Sequence, residues 1–195
     1  MPRIQLIVGL GNPGTHYEAT RHNAGAWFVE ALAKQHHSVL KAEKRFRSLY
    51  SQFTLADQKI ILLFPQTFMN LSGEAVALAA RYFQIPAANI LVAHDELDLP
   101  TGQAKLKFGG GHAGHNGLKD IIAQLVTKDF WRLRIGIDHP RHHHPQQDVV
   151  DYVLGKPSPQ ESSGIHAAID LSLQVSDWLY QGAFNKAIQQ LHTTA

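Results

Sequence analysis

Four polar side chains suited to hydrolysis, His22, Asn70, Asp95 and Asn116, each sit where an apolar run gives way to a helix or loop. The segments are LIVGLGNPGTHYEATRHNAG, ILLFPQTFMNLSG, ILVAHDELDLP and FGGGHAGHNG. In open α/β sheets ligands bind beyond the carboxyl ends of strands, so residues far apart in sequence can meet in one cleft. A neutral imidazole such as His22 takes a proton from water near neutral pH, provided its other nitrogen is oriented. Asp95 is the natural partner, because a carboxylate fixes the tautomer and stabilises the imidazolium. Asn12, Asn70 and Asn116 lie in glycine-flanked loops, and an amide is a neutral donor for a developing oxyanion, worth about 3 kcal/mol. Each residue also has a plainer role open to it. His22 suits a helix cap, Asp95 a turn, and Asn the left-handed backbone of tight turns. No Gly-x-Ser-x-Gly elbow occurs, and Ser72 reads as a helix N-cap, so direct attack by water is expected rather than an acyl-enzyme.

Two further motifs suggest other chemistry. Gly9-Leu10-Gly11-Asn12-Pro13-Gly14 follows a strand and has the spacing of a dinucleotide fingerprint. That motif requires a helix starting at the glycines and an acid about twenty residues further on. Here Pro13 breaks the turn, the helical pattern starts only near Asn23, and Lys34 occupies the distal position. An oxidoreductase is therefore disfavoured. The chain has 13 histidines, yet neither His112 with His115 nor the run His142-His143-His144 has the helical His-Glu-x-x-His arrangement of a zinc hydrolase. No metal and no cofactor are expected.

The elements that must position these residues follow from periodicity. Ile4 to Leu10 is an apolar run broken only by Gln5, as in a strand buried on both faces. Ala24, Trp27, Phe28, Ala31 and Leu32 recur at helical spacing and predict a helix over 23–36. Paired strands are expected at 48–55 and 59–64 around Asp57-Gln58. A helix capped by Ser72 buries Val76, Ala79, Ala80 and Phe83 and stops before Pro86. Strands follow at 90–93 and 104–108. Gly117 opens a helix whose apolar face is Leu118, Ile121, Ile122, Leu125 and Val126. Trp131 to Ile137 alternates with Arg132 and Arg134, giving a strand with one basic face. A His- and Pro-rich loop, a long helix over 159–181 and a short terminal helix complete the pattern. Alternating strands and helices predict a single α/β domain over 1–195, a twisted mixed β-sheet with helices packed on both faces.

Composition narrows the class. A chain of 195 residues with 44% hydrophobic content buries one good core. Apolar runs such as Ile60 to Phe64 are far too short to cross a bilayer. Met1-Pro2-Arg3 leads directly into a strand, so no cleavable signal is expected. The absence of cysteine rules out disulfides and thiolate chemistry. A cytoplasmic protein is the expectation. The net charge is +2, but Lys105, Lys107, Lys119, Lys128, Arg132, Arg134 and Arg141 fall within residues 101–150. Such a stretch suits a phosphate backbone, or simply a solvated surface.

The motifs GLGNPG, YEATRHNAG, PQTFMNLSG, HDELDLPTG and GGGHAGHNGLKD, in this order and spacing, closely resemble the bacterial peptidyl-tRNA hydrolase family from about residue 4 to Pro157. The family is a single-domain α/β enzyme that cleaves the ester joining a peptide to tRNA. The resemblance implies His22 as the base that activates water and Asp95 as the group holding it in its basic form. It implies that Asn12 distinguishes an N-blocked aminoacyl group from a free one. Tyr17, Phe68, Met69 and Asn70 would line the pocket for the tRNA 3′ end and adjoining peptide. Asn116 would hold water and a substrate carbonyl with His115 beside it, and Lys107 and Arg134 would clamp tRNA phosphate. The implied partner is tRNA carrying a peptide or N-blocked amino acid, met by a monomer with no obligatory protein partner and no membrane. Two departures are visible: Ala113 stands where a glycine is usual, and the Arg141 to Pro145 tract is peculiar to this chain. A non-catalytic RNA-binding relative is the rival reading, against which the joint presence of His22, Asp95 and the three asparagines argues.

Overall fold

The structure, a computed structural model, describes residues 2–193, so residue 1 and residues 194–195 of the expected domain lie outside it. One seven-stranded mixed sheet has the order β2-β3-β4-β1-β5-β7-β6. Its centre is β1 (Leu6–Gly9), paired in parallel with β4 (Gln58–Pro65) on one side and β5 (Ile90–Glu96) on the other. Next to β5 lies β7 (Trp131–Gly136), also parallel. Antiparallel strands complete both edges: β3 (Ser48–Leu55) and β2 (Lys41–Glu43) beyond β4, and β6 (Ala104–Phe108) beyond β7.

The apolar runs divide between two cores because successive side chains of a strand point to opposite faces. Ile7, Ile60, Leu62, Leu91 and Ala93 meet α1 (Ala24–Gln35), α6 (Pro159–Gln174), α7 (Ser176–Tyr180) and α8 (Phe184–Thr193) on one face. Leu6, Val8, Ile61, Leu63 and Val92 meet α2 (Ser72–Tyr82) and α3 (Asn116–Leu125) on the other. The close docking of α1 depends on Gly25. A Cβ there would lie 2.1 Å from the Ala93 carbonyl oxygen, so only glycine lets the start of α1 rest on the middle of β5.

Several expectations need correction. Ser72 is the first residue of α2 rather than its cap, and its hydroxyl donates to the Met69 carbonyl at 2.8 Å. Phe83 is only half-buried. Val126 ends α3 with a left-handed backbone and is 88% exposed, so it does not extend the apolar face. The long C-terminal helix breaks at Val175 into α6 and α7. The His-rich loop contains a short helix, α4 (Pro140–His143), and α5 (Val149–Val153) follows it. Arg132 does not belong to an exposed basic face: it is buried, 3% exposed. Strand β5 runs on through Asp95 to Glu96, which puts the carboxylate at the strand's own carboxyl end.

Candidate active site

Strand β1 ends at Gly9, and the chain enters an irregular loop that carries Asn12 before the single turn Arg21–Asn23 leads into α1. No helix starts at the glycines, which removes the dinucleotide geometry. Asn23 ties this loop down. Its side-chain oxygen accepts from the Asn12 backbone N–H at 2.9 Å, and its amide donates to the Asn12 carbonyl at 3.0 Å. The Asn12 side-chain oxygen in turn accepts from the Met69 N–H at 2.7 Å, leaving its amide nitrogen as a donor. Sequence reasoning missed Asn23. The signal lay in Asn following His at a helix start, which reads equally as an ordinary cap.

His22 and Asp95 meet. The imidazole Nδ1 lies 2.9 and 3.0 Å from the two Asp95 carboxylate oxygens. An ionised carboxylate only accepts, so Nδ1 carries the proton and Nε2 is left with its lone pair. His115 Nε2 donates to the same carboxylate at 2.9 Å. Its other nitrogen, Nδ1, accepts from the Leu118 N–H at 3.3 Å and caps α3. Both nitrogens of His115 are therefore engaged, and the residue faces Asp95 rather than offering a free nitrogen to the cleft.

Electrostatics follow from this arrangement. Burial would depress the proton affinity of His22, but the Asp95 charge and hydrogen bond outweigh it and raise the pKa above the ordinary 6.5. Burial of Asp95 would raise its pKa. His22 and His115, by charge and by hydrogen bonding, overcome this and hold the carboxyl far below the ordinary carboxylate range. Asp95 is thus ionised at any working pH.

A cleft of about 650 Å³ opens around this cluster, within the range that takes a small ligand. Asn12, His22, Phe68, Met69, Asn70 and Asp95 line it from the ends of β1, β4 and β5. Lys107, His115, Asn116 and Arg134 line it from the other side. Tyr17 is set back from the wall and packs edge-to-face on Phe68, with ring centroids 6.4 Å apart. Phe68 itself is 59% exposed, an apolar surface at the mouth. Lys107 is exposed, whereas Arg134 Nε donates to Glu96 at 2.8 Å. Arg132 holds structure through both terminal nitrogens, while its Nε is buried without a hydrogen-bond partner. Its guanidinium donates to the Gly110 and Gly111 carbonyls and lies over the Phe130 ring, 4.7 Å from the centroid. It thereby fixes the glycine-rich loop, in which Ala113 adopts a left-handed φ of 47°.

Among the described residues, His22, Asp95 and His115 also have ligand atoms close enough, within 4.8 Å of one another, to surround a cation. Their protons argue otherwise. A metal at His115 Nε2 requires the proton to move to Nδ1, where it would face the Leu118 N–H and undo the cap on α3. The donor set fits a proton network.

Comparison with known proteins places the whole chain in one family. The peptidyl-tRNA hydrolase family model matches residues 6–195. The peptidyl-tRNA hydrolase of Cupriavidus pinatubonensis is 52% identical over 98% of this chain and 99% of its own length, and that of Cupriavidus necator is likewise 52% identical, with the same coverage. The crystal structure of peptidyl-tRNA hydrolase from Acinetobacter baumannii superposes with a TM-score of 0.92 at 44% identity, covering 98% of this chain and 95% of that one. On sequence and on fold alike, the chain belongs to the peptidyl-tRNA hydrolase family.

Proposed function

We propose that the protein hydrolyses the ester between a peptide, or an N-blocked amino acid, and tRNA by His22-activated attack of water, without a covalent intermediate. The observation that carries the reading is the His22 Nδ1 to Asp95 contact at 2.9 Å, which leaves Nε2 as a base directed by a buried carboxylate. Nε2 removes a proton from water as the water oxygen attacks the ester carbonyl carbon. The tetrahedral oxyanion is met by amide donors, for which Asn116 and Asn70 are the candidates in the cleft. Collapse breaks the bond to the ribose oxygen, which recovers the proton from the imidazolium. An ester is electrophilic enough for one positioned base, which supplies roughly a hundred- to ten-thousand-fold.

Selectivity then rests on binding. The free amide nitrogen of Asn12 suits a peptide carbonyl that only an N-blocked substrate presents there. Phe68, backed by Tyr17, offers a ring for the stacked 3′ bases. Lys107 and Arg134 take the phosphates, Arg134 by sharing or releasing Glu96. The enzyme works as a monomer in the cytoplasm on tRNA stranded by aborted translation. Among the described residues no helix is long and apolar enough to cross a membrane.

Replacing the base tests the reading. His22→Ala is expected to lower turnover of N-acetyl-aminoacyl-tRNA at least about 100-fold while tRNA affinity stays close to that of the parent protein. Near-normal turnover by this variant would remove His22 from the chemistry.

A further inference from the structure

His94 is a histidine that the proposed reaction does not use, and its surroundings are unusual. It lies on β5 beside Asp95, is 3% exposed and borders the cleft. Its Nδ1 lies 2.9 Å from the Asp95 backbone carbonyl, which can only accept, so Nδ1 carries the proton. Its Nε2 is buried with no hydrogen-bond partner in the protein. The ring stands edge-on against His115, with centroids 5.2 Å apart. The charged and titratable groups around it are Asp95 on its own strand, His115 at the cap of α3, and Arg132 on β7. Arg134 is its register partner on β7.

We propose that His94 is a positioning residue: its neutral ring holds His115 against Asp95 and so sets how strongly Asp95 attracts the proton of His22. The proposal rests on the reading of His22 as the base. The carboxylate accepts from two imidazoles at once. While His115 donates to it, the negative charge is shared and its pull on the His22 imidazolium is moderated. Without the His94 ring behind it, His115 has lost a wall on one side and its hydrogen bond to Asp95 loosens. The carboxylate then acts on His22 alone, and His22 holds its proton more tightly. Burial and the neighbouring His115 keep His94 from acquiring a charge that would repel both partners, pushing its pKa down to about 3.

The test is the acid limb of the kcat/KM profile, which reports the free enzyme's base. His94→Leu and His115→Phe should each move its midpoint to higher pH, by about half a unit or more. The double variant should move it no further than His115→Phe alone. His94→Phe, which keeps a ring against His115, should restore the parent midpoint. Independent shifts that add in the double variant, or an unmoved midpoint in His94→Leu, would overturn the proposal. Absence of any acid limb in the parent protein would instead overturn the base assignment, so the two failures are distinguishable. Nitrogen NMR of the parent protein gives a check that needs no variant. His94 should remain neutral with Nδ1 protonated from pH 5 to 8, and titration of His94 within that range would also refute the proposal.

Discussion

The chemistry turns on proton inventory within a cluster of three imidazoles and one carboxylate. Asp95 can only accept, so the hydrogens of His22 and His115 must both point at it. The α3 cap fixes His115, the Asp95 carbonyl fixes the tautomer of His94, whose Nε2 is buried, and in the proposed reaction His22 Nε2 is the base. The same inventory has a consequence for stability. His94 stays neutral when folded but takes up a proton near pH 6.5 once unfolded. Between pH 6.5 and about 3 the unfolded state therefore binds the extra proton. Stability should fall with falling pH by up to about 1.4 kcal/mol per pH unit from this residue. His22 has the opposite shift, so its stabilisation is complete below 6.5 and fades only as pH rises through its raised value. Asp95 loses its contribution only as pH falls below the ordinary carboxylate value of 3.8. Denaturant unfolding at pH 4.5 and 7 should thus show a smaller pH effect in His94→Phe than in the parent protein. An unchanged difference would mean that His94 is charged, or solvated, in the folded state.

The residues reach each other because the elements end where they do. His22 precedes α1 and Asp95 lies at the carboxyl end of β5, and Gly25 seats one element on the other. Gly25→Ala places a methyl group 2.1 Å from the Ala93 carbonyl oxygen, so α1 must lift. A loss of at least about 1–3 kcal/mol is expected, with activity falling alongside as His22 moves away from Asp95. Thermal unfolding and turnover of the variant check this together, and parent-like values for both would show that α1 is not seated by this contact. Strands β1, β4 and β5 were legible from their apolar runs, and the helix starts after them placed His22, Asn70 and Asp95 near one end of the sheet. Strand β2 was not legible. Lys41, Ala42 and Glu43 form a short edge with no alternation, paired with β3. The burial of Arg132 was equally hidden, because its partners are carbonyls of a glycine-rich loop that carry no side-chain signature. The double engagement of His115 depends on where α3 begins, and periodicity alone placed that start later than its cap.

At the scale of the molecule, a long polyanionic substrate must be held by charge and cut at one bond. The stretch that looked basic in sequence is thinner in the fold. Arg132 is spent on the glycine-rich loop, and Arg134 is paired with Glu96. Lys107 and Arg141 are left as exposed cations at the wall of the cleft. Lys107→Ala should therefore weaken tRNA binding across sequences and reduce the slope of log affinity against log salt by about 1. Filter binding over a salt series measures it, and an unchanged slope would exclude Lys107 from phosphate contact. The proposed reaction stands on one ionisation, read most directly from kcat/KM against pH for the parent protein and for Asp95→Asn. The parent should lose activity as pH falls through a single midpoint above 6.5, the direction that Asp95 imposes on His22. In Asp95→Asn, burial is no longer opposed, so the midpoint should drop below 6.5 and the plateau should fall by roughly a hundred- to ten-thousand-fold. A midpoint that stays in place when the carboxylate is removed would contradict the account.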